Sequence, residues 1–342
     1  MESLTRQTGV SFEILVVNDG STDHTREIAL SFPGVRVIDA PEPPSGWNGK
    51  SNAVAAGAKE ARGEWLLFTD ADTVHLPGSL ARSLAEAKQH EVALLSYSPK
   101  QQVHGFCEKA VMPVIFAELA RTYQASEVSD PASPVAAANG QYLLIAREAY
   151  ESVGGVASVA SSLLEDVALA QVVKRTGRKL YFRFGGDAVS TRMYRSFAQM
   201  REGWTKNLAL LFPKARRLAA LRLSEFLLIA GGVVFTVVAL LKGGTQSGIA
   251  AGIVTVGLYG LFLRRILRAH FSWDANLFAI FGLPLFAYLL MRSTLSYKKG
   301  TVTWKGRVYR GESLSGNQTS PAVRGSDCRR DAGATPGQSW SI

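Results

Sequence analysis

Short apolar runs alternate with polar, helix-forming stretches over the first two thirds of the chain. The apolar runs are the predicted strands Phe12–Val17, Val35–Ile38, Trp65–Thr69, Val92–Tyr97 and Tyr142–Ala146. The predicted helices between and after them run from near Ser21 to Leu30, and over Lys50–Ala61, Gly78–His90 and Leu164–Arg175. Strands that are apolar throughout, rather than on alternate residues, are typical of parallel sheets covered on both faces. The pattern therefore predicts an α/β domain with a mostly parallel sheet over residues 1–220.

The pattern changes to long, nearly uncharged stretches from Phe226 onwards. These stretches cover Phe226–Leu241, Ile249–Leu263 and Ala275–Met291. With its flanking residues each approaches the about 20 residues that cross a hydrocarbon core of about 30 Å. We predict a membrane region over residues 221–296 with two to three hydrophobic helices, and a buried soluble helical core is the alternative.

Charge indicates how these helices are oriented. The chain has a net charge of +10, and its basic residues gather around the hydrophobic stretches, as they do on the cytoplasmic side of membranes. The loop Arg264–Arg268 is then cytosolic, which fits two crossings. A third crossing would place the basic segment Lys298–Arg310 outside, against the rule, so one stretch could instead be re-entrant or interfacial, broken at Gly282-Leu283-Pro284. Nucleic acid is not an expected partner, because the charge lies at membrane margins rather than on a sheet or a recognition helix.

Few other features of the composition bear on function. Cys107 and Cys328 are far apart and form neither a disulfide framework nor a zinc motif. The polar start Met1–Gly9 is not a secretory signal, so we expect a multi-pass membrane protein whose catalytic domain faces the cytosol. Residues 297–342 are predicted to be a basic segment followed by a disordered tail from Glu312.

Acidic residues follow two of the predicted strands. Asp70 and Asp72 come directly after Trp65–Thr69, and Asp19 follows Phe12–Val17. Ligands of α/β sheets bind beyond the carboxyl ends of the strands. Two carboxylates two residues apart can share a divalent cation, Mg²⁺ or Mn²⁺, that neutralises a diphosphate. The alternative is that Asp72 and Asp19 only cap the helices that follow.

Two helix starts carry further candidates. Glu165 and Asp166 open the helix Leu164–Arg175, where acidic residues commonly complement the helix dipole; the functional alternative makes Asp166 a general base for an acceptor hydroxyl. Lys50 lies in Gly49-Lys50-Ser51, which resembles the end of a P-loop but lacks its first glycine, since Pro44 occupies that position. Lys50 can still approach a phosphate at the start of its helix.

A third group of candidates lies just ahead of the membrane region. Gln199, Arg201 and Trp204 could hold a diphosphate and stack on an acceptor. Anchoring of an amphipathic segment at the bilayer surface explains an arginine and a tryptophan there equally well.

Five motifs, in this order along the chain, resemble those of family 2 glycosyltransferases, the inverting enzymes with the GT-A fold. They are VVNDGSTDHT, GWNGKSNA, TDADT, LLEDVALA and, with altered spacing, QMREGW. The resemblance extends from Phe12 to Arg310, and a single catalytic domain ahead of hydrophobic helices is most similar to members that glycosylate lipids, such as carotenoid- and hopanoid-associated enzymes and ceramide glucosyltransferases.

The resemblance implies roles for these residues. Asp19 would contact the base of a nucleotide-sugar, and a UDP-sugar is the donor that the resemblance implies. Asp70 and Asp72 would hold the cation and diphosphate, and Asp166 would be the catalytic base for a lipid acceptor. Glu165 belongs to the acceptor and diphosphate side. Two other functions stay open: transfer to a polyprenyl phosphate, and a non-catalytic remnant of the same fold. Family members begin with a strand and helix ahead of Phe12–Val17, so this chain is expected to be truncated at its N-terminus.

Overall fold

The computed structural model describes residues 1–304, 307–309 and 340–341, so most of the predicted tail lies outside the described residues. The strands are β1 Ile14–Asn18, β2 Val35–Asp39, β3 Trp65–Phe68, β4 Thr73–His75, β5 Leu94–Ser98, β6 Lys100–Gln101, β7 Leu143–Ala146, β8 Leu180–Phe184, β9 Val189–Thr191, β10 Val302–Trp304, β11 Arg307–Tyr309 and β12 Trp340–Ser341. The helices are α1 Glu2–Thr5, α2 Thr25–Leu30, α3 Gly49–Glu60, α4 Ser79–Gln89, α5 Gly105–Thr122, α6 Ala125–Ser129, α7 Arg147–Ser152, α8 Glu165–Arg175, α9 Phe197–Leu211, α10 Ala215–Leu241, α11 Thr245–Ile266 and α12 Trp273–Lys298, with 3₁₀ turns at Gly155–Val159 and Leu267–Ala269.

The prediction of a mostly parallel sheet is confirmed for the central sheet, in which four of the five strands run in one direction and β7 is reversed. The central sheet has the order β12-β3-β7-β5-β8, and β7 runs antiparallel to both β3 and β5. β1 and β2 form a separate parallel pair, and β4, β9 and β6 form a third sheet. The apolar character of the strands reports burial of both faces, which an antiparallel strand in a covered sheet shares.

Burial of both faces is visible in the alternation of side chains along single strands. Leu66 of β3 packs in one apolar cluster with the helix residue Leu169, whereas the next residue, Leu67, packs on the other face with Leu80 of α4. All four side chains are buried, and each contributes about 1.5–3 kcal/mol by leaving water. The central sheet is thereby fixed between two helical layers.

Because β7 runs antiparallel to β3, the start of β7 lies beside the end of β3. Phe68 at the end of β3 pairs with Leu143 at the start of β7. The residues that follow Phe68 therefore face the residues that precede Leu143, and the Thr69 hydroxyl donates to the Gln141 carbonyl at 2.9 Å. The acidic turn after β3 and the loop before β7 are thus adjacent.

Three long apolar helices follow, as predicted, and each is long enough to span a membrane. They begin earlier than expected, since α10 starts at Ala215. Gly282-Leu283-Pro284 does not interrupt α12. The glycine instead allows close packing, because a Cβ at Gly282 would lie 1.9 Å from the Ala110 carbonyl oxygen of α5.

A buried charged cluster, here called the Glu118 network, joins α5 to α10 and α11. Glu118 is fully buried and pairs with Arg222 at 3.0 Å, Arg265 at 3.5 Å and Arg121 at 3.1 Å. Glu225 pairs with Arg222 at 2.6 Å and with Arg265 through two bonds of 2.8 Å. These ion pairs therefore hold the first half of α10 and the end of α11 against α5.

Candidate active site

The start of α3 is tied to the loop that precedes α8. Asn48 caps α3 by accepting from the Ser51 amide at 2.7 Å. Its side-chain amide donates to the carbonyl oxygens of Ser162 at 2.8 Å and Ala160 at 3.2 Å. This bridge brings the two helix starts together, although they are far apart in sequence.

Lys50, in the first turn of α3, lies between the acidic turn and α8. Its ammonium contacts Asp70 at 2.9 Å and Glu165 at 3.1 Å. Desolvation opposes the charge, but the Asp70, Glu165 and Asp166 carboxylates outweigh it and raise the pKa of Lys50 well above its usual value. Lys50 keeps 44% of its side-chain surface exposed, whereas Glu165 keeps 10%. A cation with an open side is thus surrounded by three carboxylates.

Asp166 is held by backbone amides on both sides. Its Oδ2 accepts from the Gly140 amide at 2.7 Å, and its Oδ1 accepts from the Val167 amide at 2.8 Å. Desolvation and the neighbouring Glu165 raise the pKa of Asp166 to about 6, while Lys50 and the two amides act in the opposite direction. A carboxyl with a pKa near neutrality is suited to accepting a proton at cellular pH.

Gly140 is the point where this arrangement leaves no room for a side chain. A Cβ at Gly140 would lie 2.8 Å from Lys50 Nζ and 3.3 Å from Asp166 Oδ2. The loop before β7 therefore passes directly over both groups, and its amide reaches Asp166 because glycine permits the approach.

Asp70 and Asp72 follow β3, as the sequence indicated. Desolvation and the Asp70 carboxylate raise the pKa of Asp72, so the two charges repel each other. The Asp72 carbonyl oxygen accepts from the Thr191 hydroxyl of β9 at 3.2 Å, which anchors the turn from below. No group of three metal-ligating side chains occurs among the described residues. Two mutually repelling carboxylates fit a divalent cation whose remaining ligands come from a diphosphate and water.

A buried histidine supports the acidic turn from behind. His75 Nε2 lies 3.1 Å from the Thr69 hydroxyl, and Thr69 immediately precedes Asp70. Desolvation lowers the pKa of His75 to about 4, so the ring is neutral at physiological pH. His75 therefore positions the turn without adding charge to it.

Asp19 follows β1, in the separate β1–β2 pair. The α3 helix packs on this pair, since a Cβ at Gly57 would lie 3.0 Å from Val17 Cγ2. The same helix thus carries Lys50 at its start and contacts the strand that leads to Asp19. Contact of Asp19 with a base stays a prediction.

The three candidates on α9 have structural contacts. Gln199 helps to cap the start of α9. Its backbone amide donates to the Ser196 hydroxyl at 3.2 Å, and its side-chain Oε1 accepts from the Arg195 backbone amide at 3.0 Å. Trp204 is 2% exposed, and its indole N–H points at Met112 Sδ at 3.3 Å. In this conformation Trp204 offers no open ring face on which an acceptor could stack. Arg201 is partly exposed on the same helix.

Sequence reasoning missed two residues close to the carboxylates. Gly140 carried only the weak signal of a glycine shortly before a strand. Lys206 of α9 interacts electrostatically with Glu165, Asp166 and Asp70, and desolvation lowers its pKa. In the sequence, Lys206 looks like any other polar residue of a helix, so the pattern of polar and apolar positions does not mark it as a site residue.

Comparison with known proteins identifies the catalytic part. Residues 1–152 match the family described as Glycosyl transferase family 2. The chain carries a family 2 glycosyltransferase domain. The fold class is confirmed as an α/β domain followed by three long apolar helices.

Curated relatives of this glycosyltransferase match over most of the chain. The 4,4'-diaponeurosporenoate glycosyltransferase of Staphylococcus aureus strain USA300 is 26% identical over 332 residues, 89% of this chain and 82% of the relative. The same enzyme from strain MRSA252 is 28% identical over 319 residues. Solved structures that align include S. aureus TarS 1-349 in complex with UDP-GlcNAc, 15% identical, covering 95% of this chain and 94% of that one with a TM-score of 0.38.

Proposed function

We propose that this glycosyltransferase moves a sugar from a UDP-sugar to a hydroxyl or carboxyl group of a lipid at the cytosolic membrane face, with inversion at the anomeric carbon. The observation that carries the proposal is Asp166, a carboxyl with a pKa of about 6 that two backbone amides hold beside the Lys50 ion pairs. A sugar bound between these groups would have Asp166, the base, on one face and the diphosphate site around Lys50 on the other.

The donor side consists of Asp19 for the base, and of Lys50, Asp70 and Asp72 for the diphosphate. A divalent cation held by Asp70 and Asp72 would supply charge neutralisation for the departing diphosphate. The Lys50 ammonium pairs with Asp70 at 2.9 Å. We infer that Lys50 exchanges that partner for a phosphate oxygen when the donor binds, since ammonium groups bind phosphate as point charges.

The acceptor side depends on Asp166. The acceptor oxygen attacks the anomeric carbon, the bond from that carbon to the diphosphate oxygen breaks, and Asp166 takes the hydroxyl proton. A carboxylate or phosphate acceptor arrives without that proton and has no need of the base. The requirement for Asp166 therefore depends on the chemistry of the acceptor.

The apolar nature of the acceptor is supported by two separate observations. The curated relatives act on 4,4'-diaponeurosporenoate, as their name states, and three helices of membrane-spanning length adjoin the catalytic domain. The Glu118 network holds α10 and α11 to α5, so the site stays close to the bilayer surface.

The test is sugar transfer by membranes that contain the full chain. Radiolabelled UDP-glucose, UDP-N-acetylglucosamine and GDP-mannose are supplied in turn, with divalent cation and lipid extracts fractionated into hydroxyl, carboxylate and phosphate classes. Asp166→Asn is the diagnostic variant, and Glu148→Gln, whose side chain is 92% exposed, is the matched control.

Label in an apolar lipid from a UDP-sugar, abolished by Asp166→Asn for hydroxyl acceptors and reduced less for carboxylates, is the expected result. Label only in polyprenyl phosphates, independent of Asp166, would favour the alternative transferase. Nucleotide binding without transfer from any donor would show a non-catalytic protein and overturn the proposal.

A further inference from the structure

The third apolar helix, α12, differs from the other two in how it is surrounded. In the most apolar window of each helix, 6% of α10, 17% of α11 and 50% of α12 is buried within the protein. Most of the surface of α10 and α11 is thus exposed, whereas one whole side of α12 is covered by the rest of the protein.

Helices α5 and α9 of the catalytic domain cover α12 together with α10, and the catalytic domain holds both ends of α12. At the first turn, Asp274 accepts from the Lys109 ammonium of α5 at 2.6 Å. At the last turns, the Tyr297 hydroxyl donates to the Lys206 carbonyl of α9 at 2.7 Å. Between them, the Ser293 hydroxyl donates to the Thr205 carbonyl at 2.6 Å.

The two contacted helices belong to one structural unit. Helix α5 follows β6 and helix α9 follows β9, and β6 and β9 pair directly in the three-stranded sheet. A helix of 26 residues is about 39 Å long. If α12 crossed the bilayer, its two ends would lie on opposite membrane faces and would pull α5 and α9 apart with them.

The opposite side of α12 is exposed and apolar. Large exposed side chains recur there at spacings of three, four and seven residues, which is one face of a helix. These residues, here called the α12 stripe, are Trp273, Leu277, Phe281, Tyr288, Met291 and Leu295. The buried residues of α12, such as Ala279, Phe286 and Leu290, lie on the other face.

The surroundings of the α12 stripe fit a lipid surface. An aromatic residue stands at its start, Trp273, which is 79% exposed, and another in its second half, Tyr288, and such rings favour the headgroup level. Exposed basic residues border the stripe at Arg268, Arg292 and Lys298, and these complement anionic lipids.

We infer that α12 lies in the plane of the membrane interface, as the floor of the catalytic domain, and that only α10 and α11 cross the bilayer, as a hairpin. The Glu118 network and the basic loop after α11 are then on the catalytic side, and the turn Lys242–Gly244 is on the opposite side. The end of α12 at Lys298 then also lies on the catalytic side, which accounts for the basic segment that follows it. This inference concerns topology and does not depend on whether sugar is transferred.

The experiment uses the full chain with Cys107→Ser and Cys328→Ser, and adds one cysteine at a time. Lys59→Cys marks the catalytic side, Lys242→Cys marks the hairpin turn, and Lys299→Cys marks the end of α12. Sealed vesicles of one orientation, with position 59 on the outside, are treated with a membrane-impermeant maleimide. Labelling of position 299 together with 59, with position 242 protected until the vesicles are opened, is expected. Labelling of position 299 together with 242 would overturn the inference.

A second measurement identifies what covers the stripe. A nitroxide attached at Phe281→Cys, in liposomes that contain anionic lipid, should be relaxed by oxygen, which concentrates in lipid, and little by a water-soluble nickel chelate. The Lys59→Cys label should show the reverse. Strong relaxation by nickel at position 281, or spin–spin broadening between two copies, would refute a lipid-covered stripe even if the sidedness were as expected.

Discussion

Replacing Gly140 with alanine tests whether the position of the Lys50 ammonium matters for catalysis. The new Cβ would lie 2.8 Å from Lys50 Nζ. The ammonium must then move by about 0.6 Å, the difference between that distance and the 3.4 Å at which ordinary contact begins. Gly140 does not have a left-handed backbone, so alanine can adopt its conformation.

The expected effect falls on turnover rather than on folding. The end of a lysine side chain is flexible, and the thermal unfolding temperature should change little. The ion pairs of 2.9 Å to Asp70 and 3.1 Å to Glu165 would lengthen, however. A hydrogen bond to a charged group contributes about 1.5–3 kcal/mol, and solvent screening favours the lower value at this partly exposed site. Loss of one such bond lowers kcat/KM about tenfold.

The assay is the initial rate of sugar transfer as a function of donor concentration, in membranes that contain equal amounts of each variant. Gly231→Ala is the control, because a Cβ there meets no atom within 4 Å. Lys50→Met provides the upper limit of the loss. The reasoning would be refuted if Gly140→Ala kept the wild-type rate while Lys50→Met lost it, since the ammonium would then tolerate displacement.

Four further outcomes are expected. Because Asp166 must be ionised to take a proton and its pKa is about 6, transfer to a hydroxyl acceptor should fall about tenfold per pH unit below pH 6; a pH-rate profile without an acidic limb would contradict this. The raised pKa also means that ionisation opposes folding, so thermal stability should decrease as pH rises from 3.8 through about 6, and equal stability of the wild type and Asp166→Asn across that range would contradict it. Glu118→Gln should cost about 1.5–3 kcal/mol of unfolding free energy in detergent, because Arg222 and Arg265 lose a buried carboxylate and keep only their pairs with Glu225, whereas the exposed Arg217→Gln should cost little. Asp72→Asn should raise the Mg²⁺ or Mn²⁺ concentration that gives half-maximal rate, and an unchanged titration would remove Asp72 from cation binding.

The sequence predicted the parts of the site that depend on local order. Asp70 and Asp72 had to follow a strand, and Lys50 and Asp166 had to start helices, because apolar runs and polar turns show where strands and helices end. The general placement of ligands at strand ends predicted a shared site for Asp19, Asp70 and Asp72, whereas a common site with Lys50 and Asp166 was implied only by the family resemblance. What joins them, the Asn48 bridge, involves residues more than a hundred positions apart and has no local signal.

Other features depend on the tertiary fold and were missed or misread. The direction of β7 does not follow from its apolar residues, because both faces are buried whichever way the strand runs. The stacking role of Trp204 was predicted from its position just ahead of the hydrophobic helices, and that position does not reveal that the indole is buried against Met112. In the same way, an apolar stretch of spanning length cannot show that one of its faces packs on α5 and α9.

Glu118 is synthesised well before the arginines that neutralise it from the membrane helices. It belongs to α5, whereas Arg222 and Arg265 leave the ribosome only after the strands β7, β8 and β9 have been made. Until then a carboxylate destined for full burial has only Arg121 beside it. The burial of Glu118 in α5 is therefore completed only after the last of its partners, Arg265, has been made. The order of synthesis thus makes the final packing of the catalytic domain depend on the two long apolar helices that follow it.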